Sequence, residues 1–184
     1  PKLLQQVMET GRTVVDVSES VSSEADSMPV KRAFSYKSGV NIMYGCNNFC
    51  TYCIVPYTRG RERSRAPEKI LEEVRCLAEG GTKEIMLLGQ NVNSYAGVSD
   101  GSEGSPFSGK TSFAQLLKEI DKVEGIERIR FMTSHPKDLS NELIDCFRSC
   151  SHLCRQIHLP VQAGSDRGLK RMNRHYDSAH YLEL

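Results

Sequence analysis

The chain has 184 residues, which suits one domain of roughly 100 to 200 residues with at most a short appendage. It contains 24 Lys and Arg against 23 Asp and Glu, so the formal net charge of +1 excludes a polycation or an acidic tail, and any nucleic-acid surface must be local. The longest aliphatic run, residues 85–88, is far shorter than the roughly 18 residues of a membrane helix, and the N-terminal sequence has no signal pattern. We therefore expect a cytoplasmic protein without a membrane span.

A short amphipathic helix is predicted near the N-terminus, where apolar residues recur at helical spacing at Leu3, Leu4, Val7 and Met8. Residues 19–29 are rich in Ser and acidic residues and have few large apolar ones, a composition typical of a linker. We therefore predict that residues 1–33 are the end of an upstream domain with a linker, and that residues 34–184 form a separate domain.

After residue 33, short apolar runs alternate with helical stripes of apolar residues, which is typical of strands alternating with helices. Four strands are predicted, at residues 40–44, 84–88, 129–132 and 156–159. Four helices are predicted. One begins at Pro67, and the other three span residues 113–123, 143–150 and 168–172. The Gly- and Ser-rich stretch at residues 96–112 is predicted to be a mobile loop.

Strands that alternate with helices imply a parallel sheet with right-handed crossovers, and ligands bind at the carboxyl edge of such a sheet. A complete eight-unit barrel needs roughly 250 residues, whereas four units are visible here and the sequence stops at Leu184 without a helix cap. The predicted fold class is therefore α/β, a partial parallel (β/α) barrel truncated before its last strands.

Three of the seven cysteines, Cys46, Cys50 and Cys53, follow the first predicted strand, separated by three and then two residues. They are too close together for a disulfide framework, but thiolates at this spacing can converge on a soft metal centre. Structural zinc normally takes four ligands from two separated pairs, and the sequence has no second pair. Three cysteines on a cubane iron–sulfur cluster leave the fourth iron open, as a catalytic cluster requires. Zinc binding and simple packing of the cysteines are the alternatives.

The sequence around these cysteines resembles the radical S-adenosylmethionine (SAM) superfamily, whose C-x3-C-x2-C loop follows the first strand of a partial barrel. Residues 44–62 (YGCNNFCTYCIVPYTRGRE) resemble the methylthiotransferases of this superfamily. Residues 87–95 (LLGQNVNSY), 130–136 (RFMTSHP) and 158–165 (HLPVQAGS) resemble the branch that acts on tRNA. The resemblance covers Ala33 to the end, and its runner-up is the sister family that methylthiolates a ribosomal protein.

The resemblance implies methylthiolation of isopentenyladenosine next to the tRNA anticodon. It implies that Cys46, Cys50 and Cys53 hold a 4Fe–4S cluster whose open iron binds SAM, and that no further residue is catalytic. It also implies an electron donor such as flavodoxin or ferredoxin, and a monomer. The competing hypothesis from another class is a non-catalytic RNA-binding module that contains zinc.

The family has an upstream domain with a second 4Fe–4S cluster and a downstream RNA-binding domain, and neither is in this sequence. The resemblance therefore implies that residues 1–33 are the end of the upstream methylthiotransferase domain and its linker. It also implies that residues 34–184 are an incomplete radical SAM core. We expect the chain alone to be inactive in the complete reaction.

SAM contacts are predicted in two places: within the cysteine loop and at the end of the next strand. Tyr52 matches the aromatic residue that packs near the SAM adenine, and packing against the cluster is an equal alternative. Gly89, Gln90 and Asn91 stand where the superfamily contacts the SAM amino group, and a side-chain amide can accept from an ammonium group.

Further cofactor contacts are predicted after the third and fourth strands. Ser134 and His135 end the third predicted strand, where side chains face the ligand of a barrel, although a lone histidine is often structural. Gln162 follows the fourth predicted strand and is a candidate for the SAM ribose or carboxylate.

A basic cluster formed by Arg59, Arg61, Arg63 and Arg65 lies close to the cysteines in sequence and is predicted to contact phosphates of the anticodon loop. A solvated charged face is the alternative. A second group, Cys146, Cys150 and Cys154, recurs every four residues, so we predict that it packs along one helix face.

Overall fold

The structure, a computed structural model, describes residues 2–15 and 34–184. Contacts divide the chain into two units, Pro1–Lys31 and Arg32–Leu184. In the first unit the predicted amphipathic helix is present as α1 (Lys2–Thr10), and all of its residues are exposed. The predicted linker at residues 19–29 lies outside the described residues.

The second unit contains seven strands and six α-helices within its described residues. The strands are β1 (Lys37–Asn41), β2 (Met43–Tyr44), β3 (Arg63–Ser64), β4 (Glu84–Leu88), β5 (Ala96–Val98), β6 (Lys110–Ser112) and β7 (Arg128–Phe131). The helices are α2 (Val55–Thr58), α3 (Pro67–Glu79), α4 (Phe113–Ile120), α5 (Asn141–Ser149), α6 (Asp166–Arg171) and α7 (Ser178–Glu183). None of the described helices is long and apolar enough to cross a membrane.

The central sheet is parallel, with the order β1-β4-β7. Alternate strand residues are buried, and the register aligns Leu87 of β4 with Val40 of β1 and with Phe131 of β7. Helices α3, α4 and α5 contribute Ile70, Leu117 and Leu143, respectively, to the same core. Burying each such aliphatic side chain stabilises the fold by about 1.5–3 kcal/mol. The α/β class and the parallel sheet are therefore confirmed.

The helix boundaries follow local sequence signals. Pro67 occupies the first position of α3, as predicted, and Gly80 caps its C-terminus. Ser112 and Gln115 form a capping box at the start of α4, in which each side chain accepts from the other residue's backbone N–H. Ser140 caps α5 by accepting from the N–H of Leu143.

The first predicted strand, residues 40–44, is wrong in its boundaries. The parallel strand β1 starts earlier, at Lys37, and ends at Asn41, whereas Met43 and Tyr44 pair with β3 in an antiparallel ribbon. The apolar pattern misses the start of β1 because Lys37 and Gly39 are on the exposed side of the sheet.

The fourth predicted strand, residues 156–159, is absent, so the described residues form a parallel sheet of three strands. An isolated bridge joins Ile129 to Leu153, and the N–H of Ser134 donates to the carbonyl of His158 at 3.2 Å. The segment therefore runs beside β7 without a regular ladder. Pro160 has no N–H to contribute, and Thr133, with φ of 65°, turns the end of β7 away from strand geometry.

Residues 96–112, predicted to be a mobile loop, instead contain the antiparallel pair β5 and β6. The Glu68 carboxylate of α3 accepts from the hydroxyls of Ser99 and Ser105 and from the N–H of Asp100. The tip of this hairpin is therefore anchored to α3. The alternation is too short, with three residues in each strand, to be recognised among glycines and serines.

Candidate functional site

The cysteine loop, residues 45–53, follows β2 and is held by backbone contacts. Gly45 has a φ of +70°, and a Cβ at this position would lie 2.2 Å from the carbonyl oxygen of Arg61, so only glycine fits. The N–H of Cys46 donates to the carbonyl of Gly60 at 3.3 Å, and the N–H of Glu62 donates to Oδ1 of Asn47 at 3.2 Å. The loop therefore lies against residues 60–62.

The three thiols of the loop differ in exposure. Cys46 is buried, Cys50 and Cys53 are half-buried, and all three are free. Burial raises the pKa of Cys46, and the charges of Glu62 and of the other two cysteines raise it further. Among the described residues, no group of three His, Cys, Asp or Glu side chains is gathered closely enough for a single metal ion. In donor chemistry, three soft thiols fit an iron–sulfur cluster with one open iron.

The ends of β4 and β7 place buried polar atoms together at the carboxyl edge. Oδ1 of Asn91, Oγ of Ser134 and Nε2 of His135 are buried, and none has a hydrogen-bond partner within the part of the chain that the structure describes. Leaving a buried polar atom unpaired costs about 1–3 kcal/mol. Three such atoms at neighbouring strand ends therefore indicate a ligand site.

Asn91 is oriented by a carboxylate, because its Nδ2 donates to Oδ2 of Asp138 at 2.7 Å. This contact leaves Oδ1 of Asn91 as the unpaired acceptor. Asn93 holds the neighbouring strand end through two bonds of 2.9 Å with the backbone of His135, one donated and one accepted. The side-chain amides of Asn91 and Asn93 thus connect the ends of β4 and β7 to each other and to Asp138.

His135 presents its distal nitrogen as a donor. Its Nδ1 accepts from the N–H of Lys137 at 3.3 Å, so the proton of the neutral ring is assigned to Nε2. Burial, with the nearby charge of Arg174, lowers the pKa of His135 to about 4. The ring packs edge-on against Tyr176, with centroids 5.5 Å apart. His135 is therefore neutral near pH 7.

The other predicted SAM residues are more open. Tyr52 is 55% exposed, and Gln90 and Gln162 are exposed, with Gln162 in the left-handed region at φ of 68°. Gly89 allows a close approach, since a Cβ there would lie 2.4 Å from Cγ of Met43. The predicted SAM residues thus form a buried group and an exposed group at the carboxyl edge of the sheet.

Residues 171–174, for which the sequence analysis predicted no role in the site, pack against the cysteine loop. The N–H of Thr51 donates to the carbonyl of Met172 at 3.2 Å. Nδ2 of Asn173 donates to the carbonyls of Asn48 and Phe49, at 3.2 and 3.0 Å. Periodicity predicted the helix at residues 168–172 but gave no indication that its end contacts the cysteine loop. The one local signal for the turn after this helix is Asn173, whose φ of 56° is tolerated better by asparagine than by most residues.

Arg174 connects the cysteine loop to the strand ends. Its Nη1 donates to Sγ of Cys50 at 3.2 Å and to the hydroxyl of Tyr52 at 3.3 Å. Its Nε donates to the hydroxyl of Tyr176 at 3.3 Å, and the Tyr176 ring packs on His135. Cys50 and His135 are therefore joined through two side chains.

Glu62 forms a second connection and was also missed. Its half-buried carboxylate accepts from the hydroxyl of Ser94 at 2.7 Å. Burial raises the pKa of Glu62, and the charge of Asp138, the partner of Asn91, raises it further. Glu62 in turn raises the pKa of Cys46, so the charges at this edge influence one another.

The four predicted RNA-binding arginines separate into two groups. Arg59, Arg61 and Arg63 are exposed, and the Arg61 guanidinium lies 4.5 Å from the centroid of the Phe49 ring. The Arg65 side chain is only 9% exposed and forms an ion pair of 2.8 Å with Glu73. Arg65 is therefore much less accessible to a phosphate than the other three arginines, and its contact with RNA stays a prediction.

The second cysteine group is only partly as predicted. Cys146 and Cys150 are buried in the core, and Sγ of Cys146 lies 3.3 Å from the carbonyl of Glu142 in its own helix. Burial raises the pKa of Cys146 to about 12. Packing is therefore confirmed for these two, but Cys154 lies beyond the end of α5 and shares no helix face with them.

Comparison with known proteins gives a family and several relatives. Residues 40–184 match the family model described as the radical SAM superfamily. Over all 184 residues the chain is 54% identical to the tRNA-2-methylthio-N(6)-dimethylallyladenosine synthase of Thermoanaerobacter sp. (strain X514). It is 51% identical to the synthase of the same name from Clostridioides difficile (strain 630). The chain spans 37% of the length of each of these relatives.

Solved structures with a similar fold have low sequence identity to the chain. The radical SAM methyltransferase TsrM from Kitasatospora setae, with tryptophan and a SAM analogue bound, gives a TM-score of 0.59 at 16% identity. That match covers 82% of this chain and 28% of TsrM. The cobalamin-dependent SAM radical enzyme OxsB, with aqua-cobalamin and SAM bound, gives 0.55 at 17% identity, covering 77% of this chain and 20% of OxsB. These two matches concern the fold alone.

Proposed function

Because the chain belongs to the radical SAM superfamily, we propose that Cys46, Cys50 and Cys53 hold the 4Fe–4S cluster of that family and that the adjacent strand ends bind SAM. The observation that carries this proposal is the placement of three free thiols on one loop, connected through Arg174 to strand ends with unpaired buried polar atoms. When bound, the cluster supplies the electron that cleaves SAM reductively.

The polar atoms of the strand ends suit the groups of SAM. Oδ1 of Asn91 is an acceptor for the amino group, and Nε2–H of His135 is a donor for a carboxylate or a ribose oxygen. The Ser134 hydroxyl can donate or accept. We assign Tyr52, Gly89, Gln90 and Gln162 to the border of the same site. Their role is to orient the ligand and exclude water from it.

The substrate proposed for the complete protein is tRNA, and the reaction is methylthiolation of the dimethylallyl (isopentenyl) adenosine beside the anticodon. The support is the name shared by relatives 51–54% identical to this chain. Arg59, Arg61 and Arg63 are exposed close in sequence to the cysteine loop, where they suit contacts with anticodon-loop phosphates. We further propose a cytoplasmic monomer reduced by a flavodoxin or ferredoxin.

Residues 34–184 are proposed as the part of the radical SAM core present here. Residues 1–33 are proposed as the end of an upstream methylthiotransferase domain and its linker. Since this chain spans 37% of the relatives' length, the complete methylthiolation is assigned to the longer protein rather than to these residues alone.

The cofactor proposal is tested by anaerobic reconstitution of the chain with iron and sulfide, followed by assay of iron, acid-labile sulfide and 5'-deoxyadenosine formed from SAM with dithionite. We expect about four irons per chain and slow release of 5'-deoxyadenosine. Stoichiometric zinc in an anaerobically purified sample, without iron, would contradict the proposal and favour the zinc-containing RNA-binding module.

The substrate proposal is tested in cells that lack the complete gene. Nucleoside analysis of their tRNA should show dimethylallyladenosine without the methylthio group, and the complete gene should restore the modification. Normal tRNA with a ribosomal protein lighter by one methylthio group would instead favour the ribosomal-protein methylthiotransferase.

A further inference from the structure

Arg174 is a buried cation whose contacts are not those of an ordinary ion pair. The residue is only 4% exposed. The acceptors recorded for its guanidinium among the described residues are the Cys50 thiol and the hydroxyls of Tyr52 and Tyr176, and none is a carboxylate. A buried charge is costly unless an anion and hydrogen bonds compensate it. The arrangement therefore requires an anionic group close to Arg174.

Cys50 supplies that anion when it ligates a metal, because a ligating cysteine is a thiolate. Its sulfur lies 3.2 Å from Nη1 of Arg174, which is hydrogen-bonding distance for sulfur. A hydrogen bond between two ionised groups is roughly twice as strong as one between neutral groups. The contact is therefore strongest when Cys50 is bound to metal.

The guanidinium is fixed by its surroundings. The Tyr176 hydroxyl donates to the carbonyl of Val161 at 2.6 Å, which leaves its oxygen free to accept from Nε of Arg174. The ring of Tyr176 lies 5.4 Å from the guanidinium carbon. On the other side, Asn173 anchors the backbone to the carbonyls of Asn48 and Phe49. Arg174 is thus held in place before any cluster is present.

We propose that Arg174 is a positioning residue that fixes the Cys50 thiolate and raises the reduction potential of the cluster, an inference that rests on the function proposed above. Hydrogen bonds to ligand sulfurs and the local charge are two of the factors that set the potential of an iron–sulfur cluster. One-electron reduction adds a negative charge to the cluster, and a fixed positive charge beside one ligand favours that state. The electron comes from the external reductant.

The test compares the wild-type chain with Arg174→Gln, Arg174→Lys and the control Arg65→Gln, each reconstituted anaerobically without SAM. Arg65 is also a buried arginine, but its partner is Glu73 rather than a cysteine. The measurement is a dithionite titration in which electron paramagnetic resonance reports the reduced cluster. At the wild-type midpoint, we expect Arg174→Gln to lower the ratio of reduced to oxidised cluster about tenfold, a shift of about 59 mV to more negative potential. Arg174→Lys should shift less, and Arg65→Gln should not shift.

Three results would overturn this role for Arg174 while leaving the proposed function intact. The first is an unchanged potential in an Arg174→Gln chain that retains its cluster. The second is loss of the cluster from both Arg174 variants but not from Arg65→Gln, which would make Arg174 a residue needed only for loop assembly. The third is weaker SAM binding in Arg174→Gln at an unchanged potential, which would assign the guanidinium to SAM. A wild-type chain that binds no 4Fe–4S cluster would instead overturn the proposed function and this inference together.

Discussion

Buried cysteines occur in two regions of the molecule that differ in their surroundings. At the carboxyl edge of the sheet, Cys46 and its two neighbours lie on an irregular loop beside charged residues and buried polar atoms that have no partner among the described residues. In the layer formed by α4 and α5, Cys146 and Cys150 lie among apolar side chains of the core. In both regions burial raises a thiol pKa, so this property does not distinguish a ligand from a packed residue.

The difference lies in what surrounds the thiols rather than in their spacing. Both groups have three cysteines within nine residues of sequence. The second group needs no ligand, since Sγ of Cys146 already reaches the carbonyls of Ala114 and Glu142. The first group is connected through Arg174 to buried polar atoms that have no hydrogen-bond partner among the described residues, as expected of a ligand site. Substitutions in each region can test this contrast.

The largest effect is expected from cysteine substitutions. Replacing Cys46, Cys50 or Cys53 by Ala should abolish cluster loading, because two cysteines do not retain a cubane firmly. Cys150→Ala should load normally. Iron and acid-labile sulfide per chain are the measurements, and an equal loss of iron in both kinds of variant would show that the two regions do not differ in function.

The next effect concerns pH and the buried histidine of the carboxyl edge. The pKa of His135 is lowered to about 4 in the folded chain from an ordinary value of 6.5, so the unfolded state binds more protons between these values. Stability therefore falls as pH falls through this window, by about 2–3 kcal/mol from this group, and is unaffected by it above pH 7. Urea unfolding at pH 7 and pH 4 should show a smaller loss for His135→Gln. An equal loss in both proteins would contradict the assignment.

A smaller effect is expected at the end of β4. Changing Gln90 and Asn91 together to Ala should weaken SAM binding about tenfold, the equivalent of one lost hydrogen bond of about 1.4 kcal/mol, while iron content stays unchanged. Calorimetry on the reconstituted chain measures this. Asp138→Ala is the control, because it removes the partner of Asn91 but leaves its amide in place. If the control weakened binding as much as the double variant, orientation by Asp138 would explain the whole effect.

The smallest effect is expected in the core. Cys146→Ala should lower the free energy of unfolding by about 1 kcal/mol, because it removes one buried sulfur from a packed interior, and should leave iron content and SAM binding unchanged. Denaturant unfolding of the chain checks this. Reduced cluster loading in Cys146→Ala would mean that packing around this core cysteine affects cluster binding at the carboxyl edge.

Sequence periodicity predicted the parts of the fold in which a helix or strand has one apolar face. It located β4 at its observed residues and placed Pro67 at the start of α3. It failed where a short element has no such face, as in the hairpin of β5 and β6. It also failed at residues 156–159, where polar and apolar residues alternate but the segment forms no regular ladder with β7.

For the candidate site, the sequence predicted the residues that lie on local motifs, but it did not indicate which of them are buried. Gln90 and Asn91 are adjacent, yet Gln90 is exposed and Asn91 is 2% exposed. Arg174 was missed because its partner, Cys50, is 124 residues away, and no local pattern specifies such a pairing. The ion pair of Arg65 with Glu73, eight positions later, was not predicted either, because charge alone does not show whether an arginine faces solvent or a carboxylate of the next helix.

The contacts of Asn173 and Arg174 with the cysteine loop can form only late in protein synthesis. These bonds join residues 122–125 positions apart in the sequence. At a translation rate of about 5–20 residues per second, the loop precedes its partner segment by about 6–25 s. During that interval the loop thiols lack these contacts, so the cysteine loop reaches its complete set of hydrogen bonds only after Asn173 and Arg174 have been synthesised.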